Sequence, residues 1–123
     1  MDPIYLEGTS RTPFVSLDLS GKFIIRGRSI HENPSKFFDP LVDWIYAFIQ
    51  NNPTPVIFDI ELEYFNSGSA RFILEILGIL KESEVGKNLI INWYYEDGDE
   101  DLLERGQYYE SLLDIPFNFI EFQ

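Results

Sequence analysis

The sequence contains no cysteine. That absence excludes disulfides, zinc sites built from thiolates, and cysteine nucleophiles. Long apolar runs are missing too, because no stretch approaches the roughly 20 residues that a membrane-spanning helix needs. The N-terminal residues show no basic segment followed by an apolar core, so we expect no signal peptide and a cytoplasmic protein.

Basic residues are scarce. The chain has 9 lysines and arginines against 21 aspartates and glutamates, which gives a net charge of −12. A chain this acidic repels nucleic-acid phosphates and anionic membranes, so we expect neither as a partner and favour a protein with a basic patch. Of its 123 residues, 45% are hydrophobic and 16% aromatic. That content is enough for a single packed domain over residues 1–123.

Hydrophobic periodicity divides the chain into strands and helices. In order, we predict strands at 4–6, 15–19 and 22–26, a helix that opens at Asn33-Pro34, a strand at 55–64, a helix after 66–69, a strand at 87–95, a weaker helix at 101–113 interrupted by Gly106, and a strand at 117–122. This order, β-β-β-α-β-α-β-α-β, predicts an α/β fold with a mixed sheet and an N-terminal hairpin. Because the 55–64 strand alternates apolar and polar residues, we expect the helices mainly on one face of the sheet.

The first predicted helix contains a proline. Pro40 removes a backbone hydrogen bond, so either the helix bends there or its regular part begins at an Asp39 cap. The segment Asn51-Asn52-Pro53 is predicted to end it.

The segment Phe65 to Ala70 joins a buried strand to a buried helix. We expect a loop there, at the carboxyl end of the strand, where α/β sheets usually place their sites. The start of the helix offers unpaired N–H groups and a partial positive charge, both of which favour a phosphate. Two interpretations are open. Asn66 and the serines simply cap the helix, or Ser67 or Ser69 carries a phosphate.

An enzyme that binds a small molecule or a metal is the alternative function. His31 next to Glu32 is a pairing capable of general acid–base chemistry. Carboxylates on one strand face suit a hard cation, and three are present: Asp59, Glu61 and Glu63. However, ligands spaced along one strand do not converge on a point, and we find no nucleophile elbow, Walker loop or zinc-protease motif. We therefore predict no catalytic residue, metal or cofactor.

Four motifs, in order along nearly the whole chain, resemble those of one family. They are Gly8-Thr9-Ser10-Arg11-Thr12-Pro13; Gly27-Arg28-Ser29-Ile30-His31-Glu32-Asn33, followed by a helix with Asp43-Trp44; Tyr64-Phe65-Asn66-Ser67-Gly68-Ser69; and Asn92-Trp93-Tyr94-Tyr95. The chain is thereby similar to the SiaC family of bacterial regulatory phosphoproteins. The resemblance implies a STAS-like fold of the anti-anti-sigma-factor type.

The resemblance also implies a function in cyclic di-GMP signalling. A partner serine/threonine kinase and a PP2C-type phosphatase would set the phosphorylation state, and the dephosphorylated form would bind and modulate a diguanylate cyclase or another effector protein. In this family the acceptor follows the junction asparagine, so the resemblance implies that it is Ser67 here. Family members often have threonine there followed by two hydroxyl residues, so Ser67-Gly68-Ser69 leaves Ser69 as a rival acceptor and a glycine that loosens the loop. The expected partner-binding residues are Asn66, Gly68, Ser69, His31, Glu32 and Asn33.

Overall fold

A computed structural model describes residues 1–51 and 54–123. Over these residues the elements are β1 (Ile4–Leu6), β2 (Phe14–Leu17), β3 (Lys22–Ser29), α1 (Pro34–Asn51), β4 (Ile57–Phe65), α2 (Ser67–Glu82), a 3₁₀ helix (Glu84–Asn88), β5 (Ile90–Glu96), α3 (Glu100–Leu113) and β6 (Phe117–Phe122). This order confirms the predicted α/β arrangement. Of the stop predicted at Asn51-Asn52-Pro53, the last two residues lie outside the described ranges.

The strands of the described ranges form one mixed sheet in the order β1-β2-β3-β4-β5-β6. The first three strands pair antiparallel, and every pair from β3 onward is parallel. Parallel neighbours need crossover connections, which α1, α2 and α3 supply. As a result, the carboxyl ends of β3, β4 and β5 and the N-termini of the three helices meet at one edge of the sheet.

The helices pack on one face of the sheet, as predicted. Along β4, Phe58, Ile60 and Leu62 are buried and face the helices. The helices bury matching stripes: Phe38, Leu41, Ile45 and Phe48 from α1, and Phe72, Ile73, Ile76, Leu77 and Leu80 from α2. These side chains form one continuous core. None of the helices in the described ranges combines the length and the apolar character needed to cross a membrane.

The opposite face of the sheet carries a row of polar contacts. Lys22 Nζ lies 2.8 Å from Asp59 Oδ2, and Asn92 donates to Asp59 Oδ1 at 2.9 Å. Asn118 extends the row by donating to Asn92 Oδ1 at 3.0 Å. Asp59, Asn92 and Asn118 are register partners on β4, β5 and β6, whereas Lys22, whose own register partner is Ile57, reaches Asp59 diagonally. Asp59 is therefore part of a solvated sheet face.

The predicted start of β5 is wrong, and one of the two alternatives given for Pro40 is excluded. The strand predicted from Lys87 begins at Ile90, because the preceding residues form a 3₁₀ helix that buries Val85. Helix α1 begins at Pro34, as predicted, and runs through Pro40, which excludes the alternative in which its regular part begins at an Asp39 cap. Pro40 is exposed, so the backbone bond that it removes lies on the solvent side, where water can replace it.

Helix α3 is continuous through Gly106, contrary to the predicted interruption. A Cβ on Gly106 would lie only 2.6 Å from Trp93 Nε1. Trp93 is fully buried and donates its indole N–H to the Leu102 carbonyl at 3.1 Å. The glycine is therefore required by the indole that packs against α3, and it does not break the helix.

Candidate functional site

A single cap residue joins β4 to α2. Strand β4 ends at Phe65 and α2 begins at Ser67. Between them, Asn66 is extended (φ −80°, ψ 173°), and its Oδ1 accepts the Ser69 N–H at 2.9 Å. This is the geometry of an N-cap. The predicted loop over residues 66–69 is wrong, because three of those residues form the first turn of α2.

The two candidate serines have different environments. Ser67 is exposed at the first position of α2. Ser69 is fully buried, and its Oγ lies 2.8 Å from the Oγ of Ser29, which is also buried. Because Asn66 supplies the cap, the helix start does not depend on the hydroxyl of Ser67. Ser69, predicted as a rival acceptor and a surface residue, is instead a core residue on the inward side of α2.

Gly68 packs against the start of α1. A Cβ on Gly68 would lie 2.7 Å from Cγ of Pro34, closer than carbon atoms normally approach. The missing side chain therefore brings the N-termini of α1 and α2 together. The expectation that Gly68 loosens a loop is wrong, because the glycine allows a close contact inside a helix.

The segment from His31 to Asn33 lies beside the same helix start. Asn66 Nδ2 donates to the His31 carbonyl at 3.3 Å, and the Asn66 N–H donates to the Ser29 carbonyl at 3.1 Å. Within the segment, His31 Nδ1 accepts the Asn33 N–H at 2.9 Å. Asn66 therefore links the two segments that the sequence analysis assigned to a partner-binding surface.

The residues of the alternative enzyme hypothesis do not converge. Glu32 pairs with Arg11 at 3.1 Å, His31 Nδ1 is engaged by the backbone, and Asp59 is held by Lys22 and Asn92. Over residues 1–51 and 54–123, no group of three or more histidine, aspartate or glutamate side chains is placed to hold a metal ion. His31, Glu32 and Asp59 are therefore each held in separate contacts.

Ser67 lies between two surface clefts. The first is lined by Ser67 with Pro34, Ser35, Gly68, Arg71 and Phe72, and the second by Ser67 with Tyr64, Phe65, Asn66, Ala70, Arg105, Tyr108 and Tyr109. In the second cleft, the side chains of Tyr64 and Tyr108 are 57% and 61% exposed. Large exposed aromatic side chains are typical of protein interfaces, where they supply much contact area for little conformational entropy.

Arg105 is positioned within the second cleft by aromatic neighbours. Its guanidinium carbon lies 4.8 Å from the centre of the Phe65 ring. Burial raises the pKa of Tyr109, and the nearby charge of Arg105 opposes that rise. The phenol therefore stays neutral near neutral pH, and the second cleft, which Ser67 also lines, contains the positive charge of Arg105.

Four residues that border Ser67 were not predicted from the sequence as site residues: Tyr64, Arg71, Arg105 and Tyr108. Arg71 follows Ser67 by four positions, a spacing that puts two side chains on one helix face, so its signal is present in the sequence. Arg105 and Tyr108 come from α3, and only the packing of that helix on the sheet brings them here. No local pattern indicates them.

Comparison with known proteins gives consistent matches along the chain. The family model described as SiaC family regulatory phosphoprotein matches residues 6–122. An uncharacterised protein of Pseudomonas aeruginosa (strain UCBPP-PA14) is 27% identical over 119 residues, which cover 95% of this chain and 94% of that protein.

Solved structures agree with the described fold. The crystal structure of apo-SiaC from Pseudomonas aeruginosa superposes with a TM-score of 0.87 at 25% identity, covering 98% of this chain and 99% of that one. A chain in the crystal structure of the diguanylate cyclase SiaD in complex with its activator SiaC gives a TM-score of 0.88 at 26% identity, with 97% and 99% covered.

Proposed function

This chain belongs to the SiaC family of regulatory phosphoproteins, and we propose that Ser67 is its phosphoacceptor and the centre of its effector-binding surface. In the dephosphorylated form the chain binds and modulates a diguanylate cyclase; the similar protein SiaC forms a complex with the diguanylate cyclase SiaD as its activator. A serine/threonine kinase and a PP2C-type phosphatase set the phosphorylation state. The chain acts by binding and carries no catalytic residue of its own.

One observation carries the assignment of the acceptor. Ser67 is exposed at the first position of α2, whereas the hydroxyl of Ser69 is buried against Ser29. A kinase must bring the acceptor oxygen into its own active site, so an exposed hydroxyl is accessible and a core hydroxyl is not. The chemistry of the junction therefore favours Ser67.

The proposed binding surface surrounds that hydroxyl. It combines Asn66, Gly68 and the segment His31, Glu32 and Asn33 with the exposed rings of Tyr64 and Tyr108. A phosphoryl group adds about −1.5 to −2 charges at the middle of this surface. A partner that covers Ser67 would have to desolvate that charge, and an acidic partner would also be repelled. Phosphorylation therefore releases the effector.

The location of Ser67 also explains why the switch need not disturb the fold. Negative charge at a helix N-terminus is stabilising, typically by about 0.3–1 kcal/mol at exposed positions. Phosphorylation at the first position of α2 is therefore compatible with an intact helix. The change acts on the surface and leaves the core as it is.

Affinity measurements with matched variants test the proposal. We expect Ser67→Asp to weaken binding of the diguanylate cyclase at least about tenfold, roughly 1.4 kcal/mol in binding free energy, while Ser67→Ala binds like the unmodified protein. The control is Asn88→Asp, which makes the same change in net charge at an exposed residue beside the amino end of β5, at the opposite edge of the sheet. Calorimetry gives the affinities, and thermal melting confirms that each variant is folded.

Two results would contradict the proposal. If Ser67→Asp bound the cyclase as tightly as Asn88→Asp, charge at residue 67 would not control the interface. If Ser67→Ala bound as poorly as Ser67→Asp, the loss would come from the hydroxyl and not from negative charge.

A further inference from the structure

Within residues 1–51 and 54–123, neither of the two arginines beside Ser67 forms an ion pair with a carboxylate. Four ion pairs in the described part of the chain use Arg11, Lys22, Lys81 and Lys87. Arg71 and Arg105 take part in none of them, although the chain contains 21 aspartates and glutamates. Two guanidinium groups that share clefts with one hydroxyl, and that form no ion pair within 4.0 Å, make the surroundings of Ser67 locally positive in an acidic chain and therefore suited to an anion.

Arg71 is placed to reach Ser67 from within α2. It follows Ser67 by four residues and lines the same cleft. Side chains on a helix lean toward its N-terminus, so the side chain at position 71 extends over the turn that contains residue 67. Its guanidinium carbon lies 5.4 Å from the centre of the Phe72 ring, a contact that leaves the N–H donors of the planar group available.

Arg105 approaches Ser67 from α3. It lines the cleft that Ser67 shares with Tyr64 and Tyr108. It also borders an adjoining cleft lined by three carboxylates, those of Glu63, Asp99 and Asp101. None of these pairs with Arg105 within 4.0 Å in the described structure. A phosphoryl dianion is a stronger acceptor than a single carboxylate, so Arg105 would prefer it.

We propose that Arg71 and Arg105 bind the phosphoryl group of phospho-Ser67 within the same chain. This inference rests on the proposed function, because it assumes that residue 67 is the one modified. Guanidinium groups bind phosphate through parallel N–H donors, and arginines on two different helices would hold the group from both sides.

Capture of the phosphate changes what the partner meets. In the dephosphorylated protein both guanidinium groups are available to acidic groups on the effector. In the phosphorylated protein they are turned toward the chain's own phosphate. The effector then loses two cationic contacts and meets an anion. Phosphorylation therefore changes the charge pattern of the surface around residue 67 from which the effector is released.

The test is the second pKa of the phosphoserine, followed by phosphorus NMR. Phosphoserine is installed at residue 67 during translation, in the full chain and in the variants Arg71→Gln and Arg105→Gln. We expect the second pKa to lie below its ordinary value of about 6 in the parent protein, and to rise by about half a unit in each variant. Arg71→Lys and Arg105→Lys should show smaller rises, because they keep the charge and lose the paired donors.

Arg26→Gln is the matched control. Arg26 also has no ion pair among the described residues, and its guanidinium carbon lies 4.2 Å from the centre of the Phe14 ring. Arg26→Gln should leave the second pKa of the phosphoserine unchanged. A pKa that does not move in Arg71→Gln or in Arg105→Gln overturns the role of that arginine, provided that melting shows a folded protein.

Failure of this inference can be told apart from failure of the proposed function. The titration uses no kinase and no effector, so its result does not depend on whether Ser67 is the natural acceptor. A shifted pKa with no natural phosphate at Ser67 would overturn the function and leave the arginine chemistry standing. An unshifted pKa together with natural phosphate at Ser67 would overturn the role of the arginines and leave the proposed function standing.

Discussion

Replacing Gly106 tests whether α3 is held as the structure describes. An alanine Cβ at position 106 would lie 2.6, 2.7 and 2.8 Å from Nε1, Cδ1 and Cε2 of Trp93. The indole has no room to move away. It is fully buried, packs against the rings of Phe65, Tyr109 and Phe117, and donates to the Leu102 carbonyl. The outcome also concerns the site, because α3 carries Arg105 and Tyr108.

Helix preference and core packing act in opposite directions on the stability of Gly106→Ala. Alanine in place of glycine favours a helix by about 1 kcal/mol. Overpacking a core costs about 1–3 kcal/mol, and weakening the indole hydrogen bond costs about 1 kcal/mol more. We therefore expect Gly106→Ala to lower the free energy of unfolding by about 2 kcal/mol. For a chain of 123 residues that corresponds to a fall in melting temperature of about 8 °C.

Gly78→Ala provides the matched comparison. Gly78 also lies inside a helix, and the nearest atom to an added Cβ is Leu113 Cδ2 at 4.0 Å, an ordinary contact. Without a clash the helix preference prevails, so this variant should be more stable by up to about 1 kcal/mol. Urea denaturation and calorimetry measure both changes. If Gly106→Ala were as stable as the parent, the described packing of Trp93 on α3 would be refuted.

Two further predictions concern a buried hydroxyl pair and a carboxyl pair. Ser29→Ala leaves the buried hydroxyl of Ser69 without its partner and should lower the free energy of unfolding by about 1–2 kcal/mol. The double variant Ser29→Ala/Ser69→Ala should lose less than the sum of the two single variants. Strictly additive losses in urea denaturation would contradict the contact. The Asp97 carboxyl raises the pKa of Glu121, so the folded state holds that proton more tightly than the unfolded chain does. The stability associated with the proton is fully present below the ordinary pKa of 4.5 and is lost as pH rises through the raised pKa of the folded state. Relative to the parent protein, Asp97→Asn should therefore be more stable at pH 7 than at pH 3, and an equal change in melting temperature at both pH values would contradict the coupling.

Local patterns predicted the fold well because its elements are strongly periodic. The alternation along β4 and the broad apolar stripe of α2 each follow from nearest neighbours in sequence. A break in α3 at Gly106 was wrongly predicted because the contact that requires a glycine there is a tertiary one. Only the neighbouring Trp93 explains why a helix interior lacks a side chain there.

The burial of Ser69 was predictable but was obscured by the assumption of a loop. Once α2 begins at Ser67, Ser69 precedes three buried residues at helical spacing: Phe72, Ile73 and Ile76. That spacing places the hydroxyl on the inward face. The cluster of serine, asparagine and glycine suggested a loop, while the cap by Asn66 makes the same residues the first turn of a helix.

The most direct test of the central claim is a phosphosite map of this chain, isolated from its own cells with phosphatases inhibited. Intact mass gives the fraction of modified protein, and fragmentation of the 66–71 region assigns the residue. We predict one phosphate, on Ser67, and none on Ser69. A phosphate on any other residue, or unmodified protein under every growth condition in which the partner kinase is expressed, would contradict the account.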